Sequence, residues 1–528
     1  MKERKETVSD VVVTGYVDKK KESYTGALSV IKRDQIEKLT HSNVLNIIQL
    51  QAPGFELQDD IQNGSNPNKV PDMVLRGRSS FIEGDQTNVP LFILDGTEVD
   101  ITYIFDMPAE DIESISILKD ASATSFYGSK AANGVIVITS RPTQYGKLQV
   151  SYSGNMQVSV PDLSDYRLLN AADKLEYERQ AGIYGNFTGS SSTDIAWQKV
   201  YYEKLDRVNA GVNTDWKRLA LRTGLTHLHN IMLSGGSRDF RYNVSGNINS
   251  TLGIMDESGR NSSSLRINIT YGSLSKLFIQ NIASFSAARS KDVPYGKFSD
   301  YVRLNPYDMP YNADGSLNTE LSFNTANPLY EKQLSSYIHS SSDSFIDTFK
   351  LRWNIVEGFR AEATLSYTLT KSGGVTFYSP KSQRFNTTAD PKKKGSSDVN
   401  DGTSNTLSGN AFLVWNKSWG ETLTQTSSLS LTGGVNVEAT KSDTHSFSAL
   451  GILSDKLEHP SMATGYAESH PGGGEDRSRM LGFYANANYI FENRYFADLS
   501  VRYEGSSKFG TDNRFAPFGS LGFGWNIH

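Results

Sequence analysis

The sequence has no cysteine, so a disulfide scaffold, a thiolate zinc site and a cysteine nucleophile are excluded, while the redox compartment stays open. Proline is scarce, at 16 of 528 residues, and tryptophan scarcer, at 6. Apolar runs stop after a few residues, as at Val135-Ile136-Val137-Ile138. A transmembrane helix needs about 18 or more, so a helical membrane bundle is excluded. The 53 basic and 58 acidic residues leave a net charge of −5, so no broad basic field exists to attract nucleic acid. The opening Met1-Lys2-Glu3-Arg4-Lys5-Glu6 is charged and has no apolar stretch, so the chain as written carries no secretory signal.

What is present argues against disorder: aromatics make up 11%, chiefly 26 Tyr and 25 Phe, beside 44 Gly. A length of 528 residues predicts two domains or one large barrel. Residues 1–25 read as a mobile segment holding a β-prone run and the lysines Lys19, Lys20 and Lys21. Residues 26–146 mix signals, as a compact α/β domain does. Short helices are expected over 33–39 and 43–50, with Ser42 as N-cap of the second and Pro53-Gly54 as its stop. Strands are expected over 73–76, Leu91–Leu94, Ile112–Leu118 and 134–139, a tight turn at Asp95-Gly96, and a helix over 121–127 closed by Gly128.

From Lys147 onward the pattern has period two. Phe359, Ala361, Ala363, Leu365, Tyr367 and Leu369 alternate with Arg360, Glu362, Thr364, Ser366 and Thr368, and similar alternation recurs around 242, 265, 495 and 515. The segment 410–417 alternates poorly. Twelve strands are expected, near 148–158, 226–236, 239–250, 263–272, 276–287, 343–355, 359–370, 408–418, 425–437, 480–491, 495–503 and 514–526. Short connections alternate with long polar loops near 159–225, 288–342, 371–407 and 438–479. Strands of about ten residues with that strict alternation point to an outer-membrane barrel. A soluble sandwich or propeller also alternates, but its strands average about five or six residues. The fold class expected is an antiparallel membrane β-barrel of the large transporter type, incomplete at about twelve strands over 147–528, preceded by an α/β plug.

Read in order, several segments resemble the TonB-dependent receptors, specifically the SusC/RagA-type nutrient transporters. They are 10–16 (DVVVTGY), 74–79 (VLRGRS), 90–96 (PLFILDG) and the long 111–140 (DIESISILKDASATSFYGSKAANGVIVITS). In the barrel they are 213–216 (NTDW), 234–237 (SGGS), 305–307 (NPY), 327–330 (NPLY) and 501–510 (VRYEGSSKFG). Position 504 is Glu where the family usually has Asp. Family barrels have more strands than this chain, and family members normally begin with a signal peptide, so the chain reads as an amino-terminal fragment.

The resemblance implies active import of a nutrient across the outer membrane of a Gram-negative bacterium, oligosaccharide first and peptide second. It implies the partners TonB with its inner-membrane energising complex, a SusD-like surface lipoprotein and outer-membrane lipid; no cofactor, metal, nucleic acid or catalytic residue is expected. Asp10, Val11, Val12, Val13, Thr14, Gly15 and Tyr16 look like the TonB box, because a β-branched extended segment can add as a strand to a partner's sheet. By pattern alone the same residues are equally an internal edge strand of the plug. Arg76 and Asp95 read as a buried pair or as turn-fixing residues, and Gly77, Gly96, Gly128 and Gly134 as positions of tight backbone in a moving plug.

Loop aromatics (Trp197, Tyr201, Tyr202, Tyr295, Tyr307, Tyr311, Phe377, Tyr378) read as loop packing before ligand contacts. His227 and His229 share a strand face without a third metal ligand. Residues 470–474 (HPGGG) lack the Lys-Ser/Thr of a phosphate loop, and 189–191 (GSS) reads as loop. The alternatives are a non-transporting surface glycan-binding or adhesin-type protein, which would not need residues 10–16, and an inactive truncated product.

Overall fold

The structure is a computed structural model. It describes residues 11–13, 18–20, 28–39, 43–58, 66–75, 89–119, 125–185, 187–189, 191–420, 427–467, 470–492, 494–510 and 514–525.

Among the described residues, strand β1 (Val11–Val13) pairs with β2 (Asp18–Lys20) alone, antiparallel and in register Val11 to Lys20, as a separate two-stranded sheet. The α/β body follows with β3 (Leu28–Lys32), helices α1 (Arg33–Glu37) and α2 (Val44–Gln51), the pair β4 (Phe55–Leu57) and β5 (Met73–Leu75), then β6 (Leu91–Leu94) and β7 (Thr97–Glu98). Helix α3 (Ile101–Phe105), β8 (Ile112–Leu118) and β9 (Val135–Ser140) complete it. Its five-stranded sheet runs β3-β8-β9-β6-β7, with β6 and β9 parallel. Apolar residues of the three helices, among them Ile36, Ile47, Ile48 and Ile104, pack on Ile115, Ile117, Ile136 and Ile138 of the sheet.

Two local expectations are corrected. Asn43, not Ser42, caps α2: its side chain accepts the Leu45 N–H at 2.8 Å and donates to the Phe105 carbonyl at 2.9 Å, fixing α2 against α3. In place of a helix over 121–127, whose first four residues lie outside the described ones, Ser125–Ala131 is a 3-10 turn broken at Gly128 (φ 66°).

The second body is an antiparallel sheet of 13 strands. It begins with β10 (Gly146–Ser159), β11 (Gly224–Gly236), β12 (Phe240–Leu252), β13 (Gly259–Gly272) and β14 (Leu277–Asp292). The small pair β15 (Glu320–Leu321) and β16 (Thr325–Ala326) lies in a loop. The wall continues through β17 (Tyr337–Val356), β18 (Phe359–Tyr378), β19 (Ser396–Trp419), β20 (Ser427–Leu450), the short β21 (Gly465–Tyr466), β22 (Gly472–Phe491), β23 (Tyr495–Ser506) and β24 (Phe515–Trp525). Among the described residues β10 and β24 are the two ends of this sheet, so it is an open wall around the plug.

All twelve expected strands are present, but several are longer. β19 and β20 each run 24 residues, and β17, β18 and β22 each run 20. Pairing continues where the apolar alternation stops, because the outward face turns polar there (Arg289, Asp343, Lys371, Lys441). Much of the loops expected near 371–407 and 438–479 is therefore strand. The loop expected near 159–225 contains α4 (Ala171–Gln180), α5 (Ser192–Asn209) and α6 (Trp216–Leu219). Ser191, read as loop, is the N-cap of α5 and accepts the Asp194 N–H. Further along, α7 (Phe298–Val302) and α8 (Pro328–Gln333) shape the next loop. The segment 470–474 opens β22 and forms no phosphate loop.

The wall's polarity is inverted relative to a soluble sheet. Leu265, Phe285, Phe349, Leu365, Leu431 and Leu499 point outward and are exposed, while Asn243, Asn268, Ser366, Thr432 and Ser500 face inward and are buried. Aromatics bracket the outer band: Trp353, Phe359, Trp415 and Tyr495 near the short turns, and Phe345, Tyr367 and Tyr503 above them. The span from Trp353 to Phe345 is about nine residues, the length a tilted strand needs to cross a bilayer.

Candidate functional site

The β6–β7 turn places the first contact. Asp95 (φ 51°) and Gly96 (φ 84°) are both left-handed, as a tight hairpin requires. The turn aims Asp95 at the wall, where its carboxylate meets Arg266 of β13 and accepts the Ser140 N–H at 3.0 Å. Burial pushes the Asp95 carboxyl up, but Arg266, Lys350 and the Ser140 amide outweigh it and hold it below the usual carboxylate range. Asp111, at the start of β8, accepts from Ser245 Oγ at 3.0 Å and Asn247 Nδ2 at 3.4 Å on β12. Burial raises the Asp111 carboxyl, with Arg266 opposing. Asp106 takes a bidentate pair of bonds from Arg260, at 2.8 and 2.5 Å. Thr97 and Thr348 join hydroxyls at 3.0 Å, and Thr143 donates to Thr270 at 2.9 Å.

On the far side of the plug, Lys130 bridges Glu98 at 2.8 Å and Glu438 of β20 at 2.6 Å. Burial works against the Lys130 charge, but the two carboxylates outweigh it and raise its pKa. Ser129 donates to Glu504 of β23 at 2.7 Å, and Glu504 is held by Arg502 at 2.6 Å. The backbone passes so close here that a Cβ on Gly128 would lie 2.0 Å from Glu504 Oε2. Gly134 (φ 91°) packs inside the plug, where a Cβ would lie 2.5 Å from Leu75 Cδ2. Between these polar contacts sits an apolar one: Phe412 and Val414 of β19 and Tyr484 of β22 pack against Ile93, Leu118, Tyr127, Ala131, Val135 and Val137.

Above the plug a cavity of about 1310 Å³ separates it from the wall. Its wall is lined with hydroxyls: Ser342 and Ser344 on β17, Thr368 and Thr370 on β18, Ser404 and Thr406 on β19. They pair across strands, Ser404 with Ser442 at 3.0 Å and Thr406 with Thr440 at 3.0 Å. Over the rim, α4, α5 and the loop before β15 close on buried Lys204. It donates to Tyr184 at 3.1 Å and Tyr307 at 3.4 Å and lies 3.8 Å from the Phe323 ring centroid. Burial drops the Lys204 pKa to about 8.

A plug fastened to the polar face of a wall whose other face is apolar is the arrangement on which comparison with known proteins bears. Residues 20–135 match the family described as TonB-dependent Receptor Plug Domain. The chain is 25% identical to TonB-dependent receptor SusC of Bacteroides thetaiotaomicron, over all of this chain and 52% of that protein. It is also 25% identical to TonB-dependent receptor P3 of Formosa agariphila, over 98% of this chain and 49% of the relative. Among solved structures, the RagAB peptide importer in its open-open state superposes with a TM-score of 0.77 at 22% identity, covering 97% of this chain and 58% of that one. The chain carries a TonB-dependent receptor plug domain and is similar along its length to receptors of the SusC and RagA type. It spans about half the length of the curated relatives it matches.

Within this receptor fold, the predicted site residues fall in different places. Asp95, Gly96 and Gly128 lie at the plug–wall boundary, and Gly134 lies within the plug. Asp10, Thr14, Gly15, Tyr16, Arg76 and Gly77 lie outside the described residues, and Val11, Val12 and Val13 form β1. Asp95 is paired with Arg266. The residues that sequence reasoning missed are the partners on the wall: Arg260, Arg266, Glu438 and Arg502. Each is a charged side chain at an inward position of a strand, and that parity was the available signal. Of the aromatics expected in loops, Phe377 and Tyr378 instead end β18 and Trp197, Tyr201 and Tyr202 lie on α5; Tyr201, Tyr295, Tyr307 and Phe377 are buried, whereas Trp197, Tyr202 and Tyr311 are exposed. His229 points outward and hydrogen-bonds Tyr152 at 2.7 Å, with the His227 ring beside it.

Proposed function

We propose that this chain supplies the plug and the facing wall of an outer-membrane nutrient importer. The observation that carries the reading is the plug seated by ion pairs and hydrogen bonds against the polar side of a wall whose outer band is apolar. Such contacts can be exchanged for water in a hydrated lumen, so a pulled plug can release and reseat. The pull comes from TonB and its inner-membrane energising complex, acting on residues 10–16. The placement of β1 outside the plug's own sheet, in a two-stranded pair with β2, supports that role, since a strand in so small a sheet keeps an edge to which a partner's strand can add. Arg76, Gly77, Asp95, Gly96, Gly128 and Gly134 act in plug structure and gating. The cargo is an oligosaccharide first and a peptide second: a band of serine and threonine hydroxyls, bordered by charged residues such as Glu438, Asp476 and Arg479, suits a chain of hydroxyl groups, while the RagAB likeness keeps peptide in view. A SusD-like lipoprotein captures cargo at the surface. No enzymatic step is part of this reading.

The test uses the full-length protein in its own outer membrane. Cells are incubated with a defined mixture of neutral oligosaccharides and peptides, and depletion from the medium is followed by mass spectrometry. Depletion should require both residues 10–16 and an intact proton gradient. Cargo that binds at the surface equally well without residues 10–16, and is never taken up, would establish the adhesin-type reading instead.

A further inference from the structure

The strand that alternates poorly in sequence marks a second division of labour. Inward positions of the wall are hydroxyls, amides and charges almost throughout, yet on β19 Phe412 and Val414 face inward, with Leu413 and Trp415 outward. Phe412, Val414 and Tyr484 form one contiguous apolar contact with the plug, in which Val414 is fully buried. The 3-10 turn Ser125–Ala131 contributes Tyr127 and Ala131 to it. The opposite sector, β11 to β17, holds the plug through Asp95–Arg266, Asp106–Arg260, Asp111–Ser245 and Thr97–Thr348. Its inward apolar side chains, Met232, Ile282, Ala288 and Ile346, are each flanked along their strand by polar inward neighbours, and of these Ile346 alone joins the plug's core cluster, as a single side chain.

These two kinds of contact respond differently when the plug moves in water. A polar contact that parts is replaced by hydrogen bonds to water, so its net loss is small. An apolar contact that parts exposes its whole area with no compensation. We propose that Phe412, Val414 and Tyr484 form a clasp on which the plug pivots, and that the passage opens along the polar sector from β11 to β17. The inference rests on the energised-import reading and adds the direction of opening.

The chain has no native cysteine, which makes site-directed thiol labelling clean. In the full-length protein, without other cysteines, Ser245→Cys and Thr348→Cys report on the polar sector, and Val414→Cys and Ala131→Cys on the clasp. All four positions are buried in the resting state. Whole cells are labelled with fluorescein maleimide, with or without a protonophore, and the total thiol is read after unfolding in urea. Energised cells should label the polar-sector positions about tenfold faster than collapsed ones, with the clasp positions changing less than about twofold. Faster labelling at the clasp, or equal gradient dependence at all four, overturns the pivot and leaves energised import standing. Gradient-independent labelling at every position overturns both. Ser→Cys and Thr→Cys are near-isosteric, and the heat-modifiable band confirms that each variant is folded.

Discussion

Replacing Gly128 with alanine should unseat the plug from β23. Gly128 sits at φ 66°, and an added Cβ would lie 2.0 Å from Glu504 Oε2 and 2.6 Å from Arg502 Nε. This backbone (φ 66°, ψ −145°), which glycine alone adopts readily, costs a residue with a Cβ about 1–2 kcal/mol or more. The methyl also drives the Glu504 carboxylate from its bonds with Ser129 and Arg502, at a fully buried position. A buried polar group left unsatisfied costs a further ~1–3 kcal/mol. The sum, about 2–5 kcal/mol, lowers the ratio of seated to unseated plug by roughly thirtyfold to a few thousandfold. The assay is leak conductance of the full-length protein in a planar bilayer. Gly128→Ala should raise the leak while the wall stays heat-modifiable. Adding Glu504→Asp, which retracts the carboxylate by one methylene, should recover much of the seal. Gly134→Ala is the contrast: its Cβ would meet Leu75 within the plug, so it should destabilise the plug's own fold and gain nothing from Glu504→Asp. A wild-type seal in Gly128→Ala, or a leak indifferent to Glu504→Asp, would refute the close-approach argument.

Arg266→Met should weaken plug seating by about 3–5 kcal/mol, because it strands a buried Asp95 charge, whereas Arg266→Met with Asp95→Asn should lie much nearer wild type. The same leak measurement tests this, and equal effects in single and double variants would rule out a coupled pair. Because Asp95 titrates below its ordinary value of 3.8, its contribution to seating is complete above that pH and is lost as pH falls through the lower, folded value; acid should therefore raise the leak in wild type more than in Asp95→Asn. Lys204 has its pKa lowered from 10.5 to about 8, so the folded loops bind fewer protons than the unfolded ones between those values and gain stability as pH rises through that range. Protease resistance of α5 should increase from pH 7 to pH 10 in wild type and stay flat in Lys204→Met; a parallel rise in the variant would show that Lys204 is not the group responsible.

How much was legible can be judged from single strands. β18 was readable because Phe359 to Leu369 alternate without a break, and one face of the wall meets lipid while the other meets water and plug. β19 resisted the same reading because Phe412 and Val414 are inward and apolar, serving a contact with residues of the plug nearly three hundred positions earlier in the chain. The outer halves of β17 to β20 were taken for loop because hydroxyl-rich residues carry no apolar signal, although their backbones continue the ladder. Asn43 was missed as a cap in favour of its neighbour Ser42, since either residue type satisfies the same local rule.

The sequence alone determined the order of an α/β part before a strand-rich part, the centres of the twelve strands and, β19 apart, the apolar face of each, because these rest on spacing between near neighbours along the chain; the family resemblance rested on its quoted segments. The tertiary structure alone decided the pairings that make the plug a plug: Asp95 with Arg266, Asp106 with Arg260, Lys130 with Glu438, Gly128 against Glu504. These contacts join residues from about 150 to nearly 380 positions apart. Which inward side chain meets which plug residue depends on strand register and on how the wall wraps the plug, and no local pattern in the chain carries that information.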